Sequence, residues 1–131
     1  MSEAAPQLAR PVRVLIADDH KLFAEALEAI LAGDKRFQVV GRAHDGAEAV
    51  RLALALQPDV TLMDISMPIF DGVEATRRIR TDRPRACVLM LTGSDAREDV
   101  DRSREAGAAG YVTKEQISSQ LVDAILRIVS G

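Results

Sequence analysis

The chain has 131 residues, which fits one domain and a core that needs no disulfide or metal staple. Apolar residues make up 47% of it, which excludes the disordered class, and a net charge of −3 argues against a general nucleic-acid surface. The single Cys87 cannot close an internal disulfide, and no apolar run is long enough to span a membrane or shaped like a secretory leader, so a soluble cytoplasmic protein is expected.

Residues 1–10 show no periodicity and read as a flexible tail. A strand at 12–17 (VRVLIA) leads to a helix in which Leu22, Phe23, Ala26, Leu27, Ile30 and Leu31 form the apolar face and Gly33 the stop. A strand at 37–43 precedes a helix at 47–56, ended by Pro58. The short apolar run 60–63 is a third strand, followed by a helix at 73–80. Strand 86–91 holds Cys87 as a small buried thiol. A helix at 96–106, a strand at 111–112 and a helix at 117–130 complete the chain. Five strands alternating with five helices predict an α/β domain with a doubly wound parallel sheet, covered on both faces.

The acids divide into two groups. Asp45 and Glu48, Asp71 and Glu74, and Asp95 and Glu98 have the spacing of helix caps and sit where helices should begin. Asp64 does not fit, because Pro68 lies in its downstream loop and the next helix start belongs to Asp71. Asp18 and Asp19 are more acid than one cap requires, although either could cap the first helix. In an open parallel sheet, ligands bind beyond the carboxyl ends of the strands. Those ends here are Asp18-Asp19, Asp64, Thr92 and Lys114. With strands one and three adjacent, three carboxylates converge and need a cation among them; oxygen donors with open water positions suit Mg²⁺. A hydroxyl and an ammonium at the same rim suit an anion, and the set suggests phosphoryl chemistry.

Five motifs in register, ADDH (17–20), LMDISMP (62–68), DG (71–72), LTGS (91–94) and GYVTK (110–114), resemble the receiver domain of bacterial response regulators. The opening DDHKLFAEAL and the ending AILRIVSG look most like its NarL/FixJ (LuxR-type) branch. The resemblance covers 12–131 and implies a flavodoxin-like (βα)5 sheet with strand order 2-1-3-4-5. It implies that Asp64 accepts a phosphoryl group from a sensor histidine kinase. Asp18, Asp19 and Asp64 would hold Mg²⁺ together with the backbone carbonyl of Ser66. Thr92 would bind the phosphoryl group, Lys114 would pair with it, and Tyr111 would be the aromatic switch that turns inward. Such a protein is a signalling receiver that assists its own phosphotransfer and dephosphorylation, not an enzyme acting on outside substrates. Lys21 stands where close relatives often carry Pro, Gly93 follows Thr92, and Ser66 and Ser94 occupy positions that tune phosphoryl lifetime.

The output surface has its own pattern. In the fourth helix Val100 is the one large apolar residue, so the helix should be weakly anchored. In the fifth, Ile117, Leu121, Ile125 and Ile128 form the core stripe. Val122, Leu126 and Val129 widen the apolar arc well beyond the ~100° of an ordinary surface helix. They are expected to meet a second copy or an effector domain; the bland alternative is an extra-wide core face. Residues 11–131 are read as the receiver domain, and any DNA contact as belonging to a helix-turn-helix domain outside them. Either a longer protein is cut at its linker or the regulator has a single domain. His20 and His44 lack the spacing of a transition-metal site, and His20 lines the acidic rim. Met63 and Met90 read as core, Met67 as loop packing, and the arginines at 77, 78, 80, 83 and 85 as a solvated basic face. A haloacid-dehalogenase-type phosphatase would want a D-x-D nucleophile motif, and an FMN module a Ser/Thr/Gly-rich loop after strand one; ADDHK is neither. A pseudo-receiver that signals without phosphate stays open.

Overall fold

A computed structural model describes residues 10–93 and 97–130; the readings on 1–9, Ser94 and Asp95 lie outside the described residues. The elements run β1 (Val12–Ala17), α1 (Lys21–Ala32), β2 (Phe37–Ala43), α2 (Gly46–Leu56), β3 (Val60–Asp64), α3 (Gly72–Asp82), β4 (Val88–Thr92), α4 (Arg97–Glu105), β5 (Gly110–Thr113) and α5 (Ile117–Ser130). A single 3-10 turn, Lys114–Gln116, joins β5 to α5 and was not foreseen. The sheet is wholly parallel in the order β2-β1-β3-β4-β5.

Successive strand residues point to opposite faces, and each face has its own core. Val14 and Ile16 of β1 join Leu62, Leu89 and Leu91 beneath α1 and α5. Leu15 and Ala17 join Met63, Val88 and Met90 beneath α2 and α3. Burial on both faces explains why the strands read as continuous apolar runs rather than alternating ones. Met67 packs at the edge of the second core, as its loop position suggested.

The elements carry three corrections. In α1 the buried residues are Ala24, Leu27 and Leu31, while Leu22 is 80% exposed and Ala26 is exposed as well. Leu22 and Leu31 are about two and a half turns apart, which sets them on opposite sides of the helix. Neither Asp18 nor Asp19 caps α1; its N-cap position is His20, whose side chain makes no capping bond. Strand β4 starts later than expected, which leaves Cys87 half-buried in the approach to it.

The caps at Asp45 and Asp71 form. Asp45 accepts from the Glu48 N–H at 2.7 Å, and Glu48 returns a bond to the His44 N–H at 2.7 Å. Asp71 accepts from the Glu74 N–H at 2.9 Å. Glu74 instead spends its carboxylate on Arg77 and Arg78, and Arg80 donates to the carbonyls of Pro84 and Ala86. Much of the arginine face is therefore partnered within the domain. In α4 only Ser103 is buried, and Val100 is half-buried. In α5, Ala124 takes a buried place and Ile128 is half-buried. Val122, Leu126 and Val129 are half-buried too, resting against the α1/α5 core with their outer sides exposed.

Candidate phosphoacceptor site

Strand β1 runs on past Ala17 by one bond, the Asp18 N–H donating to the Ala43 carbonyl at 3.0 Å. That extension keeps the Asp18 side chain buried, and its Oδ1 accepts from the His20 N–H at 2.8 Å. Asp19, the next residue, turns outward into an open cleft of about 570 Å³ shared with His20, Ser66, Asp71 and Arg102.

Asp64 is the last residue of β3 and is buried at the sheet's carboxyl end. The loop behind it depends on two close approaches. The Gly72 N–H donates to the Ile65 carbonyl at 2.7 Å, and a Cβ on Gly72 would stand 2.1 Å from the Asp64 carbonyl oxygen. The Gly46 N–H donates to the Pro68 carbonyl at 3.2 Å, and a Cβ there would stand 2.1 Å from the Phe70 carbonyl oxygen. Between these clamps Ile69 adopts φ +76°, a strained conformation for a β-branched residue, with its side chain 73% exposed.

Asp18, Asp64 and Lys114 do meet at the rim. Lys114 Nζ lies 3.4 Å from Asp64 Oδ1 and 3.5 Å from Asp18 Oδ2. Thr92 is buried at the end of β4, in register with Thr113. Burial and the nearby Asp18 charge push the Asp64 pKa up to about 6, against the opposing pull of Lys114 and the Ser66 N–H.

Asp18, Asp19, His20 and Asp64 bring ligand atoms within 4.8 Å of one another. His20 stands closer to these acids than a rim position suggested: its Nδ1 is 3.2 Å from Asp18, 3.3 Å from Asp19 and 3.7 Å from Asp64. Among the described residues, Asp18 Oδ2 and Asp64 Oδ2 are buried with no hydrogen-bond partner. Two buried carboxylate oxygens without a hydrogen bond, in one acidic cluster, fit a hard divalent cation.

Tyr111 of β5 is 42% exposed and borders a hollow of about 270 Å³ between α4 and β5, lined also by Val100 and Ser103. One tie was invisible in the sequence: Arg102 of α4 donates to Asp71 Oδ2 at 2.9 Å, linking α4 to the cap of α3. Another is the Phe23 ring, which lies beneath the Lys114 ammonium. Both pairs are distant in sequence and carry no local signal.

Residues 14–126 match the family model for the response regulator receiver domain. The chain belongs to that family. This receiver is of the NarL/FixJ type and is part of the two-component response regulators. It is 40% identical over 120 residues to the transcriptional regulatory protein DegU of Brevibacillus brevis, covering 92% of this chain and 51% of DegU. Identity to the transcriptional regulatory protein LiaR of Bacillus subtilis is also 40% over 120 residues, with 92% and 57% covered. The receiver thus spans about half the length of the curated relatives it matches. A two-component response regulator of the LuxR family from Aurantimonas sp. SI85-9A1 superposes with TM-score 0.88 at 36% identity, covering 92% of this chain and 86% of that one. Among the described residues of this receiver, no helix is long and apolar enough to cross a membrane.

Proposed function

We propose that this receiver takes a phosphoryl group from a sensor histidine kinase onto Asp64 and thereby changes its α4–β5–α5 face. The observation that carries the reading is the buried Asp64 carboxylate, one oxygen facing Lys114 at 3.4 Å and the other without a hydrogen-bond partner among the described residues. Asp64 attacks the phosphorus of a phosphohistidine; the new O–P bond forms as the N–P bond breaks, and its electron pair returns to the donor imidazole. Both reactants are anionic, and Lys114 offsets part of their repulsion. Asp18, Asp19, Asp64 and the Ser66 carbonyl would hold Mg²⁺, which would supply further charge neutralisation. The resting pKa near 6 leaves most of Asp64 ionised at neutral pH, the form a nucleophile requires.

Once phosphorylated, Asp64 carries a dianionic group to which the Thr92 hydroxyl donates a hydrogen bond. Tyr111 follows inward, where the hollow beside Val100 and Ser103 offers room. The weakly buried α4 is the element most readily displaced. Half-buried Val122, Leu126 and Val129 on α5 offer an apolar strip to a second copy or to a helix-turn-helix effector domain, through which any DNA contact would pass. The domain spans 11–131, works in the cytoplasm, and assists its own dephosphorylation.

Intact mass after incubation with acetyl phosphate and Mg²⁺ tests the reading. Wild type should gain one phosphoryl adduct and Asp64→Asn none. An unmodified wild type that also fails to bind beryllofluoride would favour signalling without phosphate.

A further inference from the structure

The Lys114 ammonium is held in an unusual way for a buried-rim cation. Its carboxylate neighbours stand at 3.4 and 3.5 Å, both longer than the ~2.8 Å of a tight charge-assisted hydrogen bond. It lies between Asp64 and Asp18 rather than bonded firmly to either. The third neighbour is the Phe23 ring, whose centroid is 4.5 Å from Nζ. Phe23 belongs to the first turn of α1 and is packed, half-buried, against the α1/α5 core. The ring is thus fixed by packing, whereas the lysine stem is long and flexible.

We propose that Phe23 is a positioning residue for Lys114, its ring holding the ammonium at the phosphoacceptor so that the cation is in place when a phosphoryl group arrives. The inference rests on Asp64 being the acceptor and adds the residue that aims its cation. A ring face attracts a cation through its quadrupole and accepts no conventional hydrogen bond. The three N–H donors of Lys114 therefore remain available for Asp64 and for a phosphoryl oxygen. A carboxylate in the same place would neutralise the cation, and leucine would supply bulk without the field.

Pseudo-first-order phosphorylation by acetyl phosphate with Mg²⁺ provides the test, followed by intact mass for wild type, Phe23→Leu, Phe23→Tyr, Lys114→Ala and the Phe23→Leu/Lys114→Ala pair. Phe23→Leu should slow the reaction by about threefold to tenfold. Phe23→Tyr, which keeps the ring face, should restore it. In the Lys114→Ala background, Phe23→Leu should change nothing further, since the partner is gone. In the untreated, metal-free protein, the ε-methylene protons of Lys114 should resonate upfield through the ring current and lose that shift in Phe23→Leu. A wild-type rate for Phe23→Leu, an equal slowing with and without Lys114, or no upfield shift in wild type would overturn the proposal. A wild type that takes no phosphoryl group would instead overturn the acceptor assignment beneath it, while the methylene shift would still judge the ring contact.

Discussion

Asp64 is disfavoured as an anion by its burial and by Asp18, and its pKa stands near 6 instead of the ordinary 3.8. A carboxylate whose folded pKa is raised contributes most to stability below its unfolded pKa and loses that contribution as pH climbs through the folded value. In metal-free protein the ionised Asp64 therefore weighs against the fold above pH 6, by up to about 3 kcal/mol. Asp64→Asn should raise the thermal midpoint in EDTA at pH 8 by several degrees and give little benefit at pH 4; saturating Mg²⁺ at pH 8 should shrink the gain. Equal midpoints for both proteins at pH 8 would show that the acid is not burdened. At this scale Asp64, Asp45 and Asp71 were legible because each closes a strand or opens a helix, a local signal. The Phe23–Lys114 and Asp71–Arg102 contacts were not, since only the folded sheet brings those residues together.

Helix α4 is the element least bound to the rest. Of its own residues only Ser103 is buried, and that hydroxyl donates within the helix, to the Asp99 carbonyl at 2.8 Å. Arg102 reaches out of it, to Asp71. That ion pair is partly exposed, so its loss should cost the whole domain no more than about 1 kcal/mol. Its local effect should be larger, because little else anchors the helix. Arg102→Ala should speed amide exchange in α4 severalfold while α2 and β3 stay unchanged; uniform exchange would mean the pair is ornamental. Weak anchoring was readable from the scarcity of apolar residues in the fourth helix. The phase of α1 was not: Leu22 and Ala26 fit a helical apolar pattern, yet the sheet selected Ala24, Leu27 and Leu31, and composition does not record which stripe meets the sheet.

For the molecule as a whole, the alternation of strands and helices foretold a parallel sheet, and the resemblance carried by the five motifs supplied its β2-β1-β3-β4-β5 order. The broad apolar arc of α5 was legible as an excess, but not as a division between inner and outer halves. Leu126 is half-buried, leaning on the core while showing part of its surface. Leu126→Glu should leave the monomer folded and abolish any self-association or domain docking that beryllofluoride induces, read by light scattering on the receiver and on a longer chain. Unchanged assembly would make the α5 strip an outlying part of the core.

Asp18, Asp64, Thr92 and Lys114 all occupy one end of the sheet, whereas the described chain enters and leaves at the other. Arg10 is pinned there by a paired bond to Asp59 at 2.8 and 3.0 Å, just before β3, and α5 runs back from the Lys114 turn toward the same end. Ser130, the last residue of α5, thus stands about 20 Å, the length of a fourteen-residue helix, from where α5 begins beside the acids. Under the proposed function, a change at Asp64 would have to reach that far end along the flanks of the domain, and α5 is the element that spans the distance.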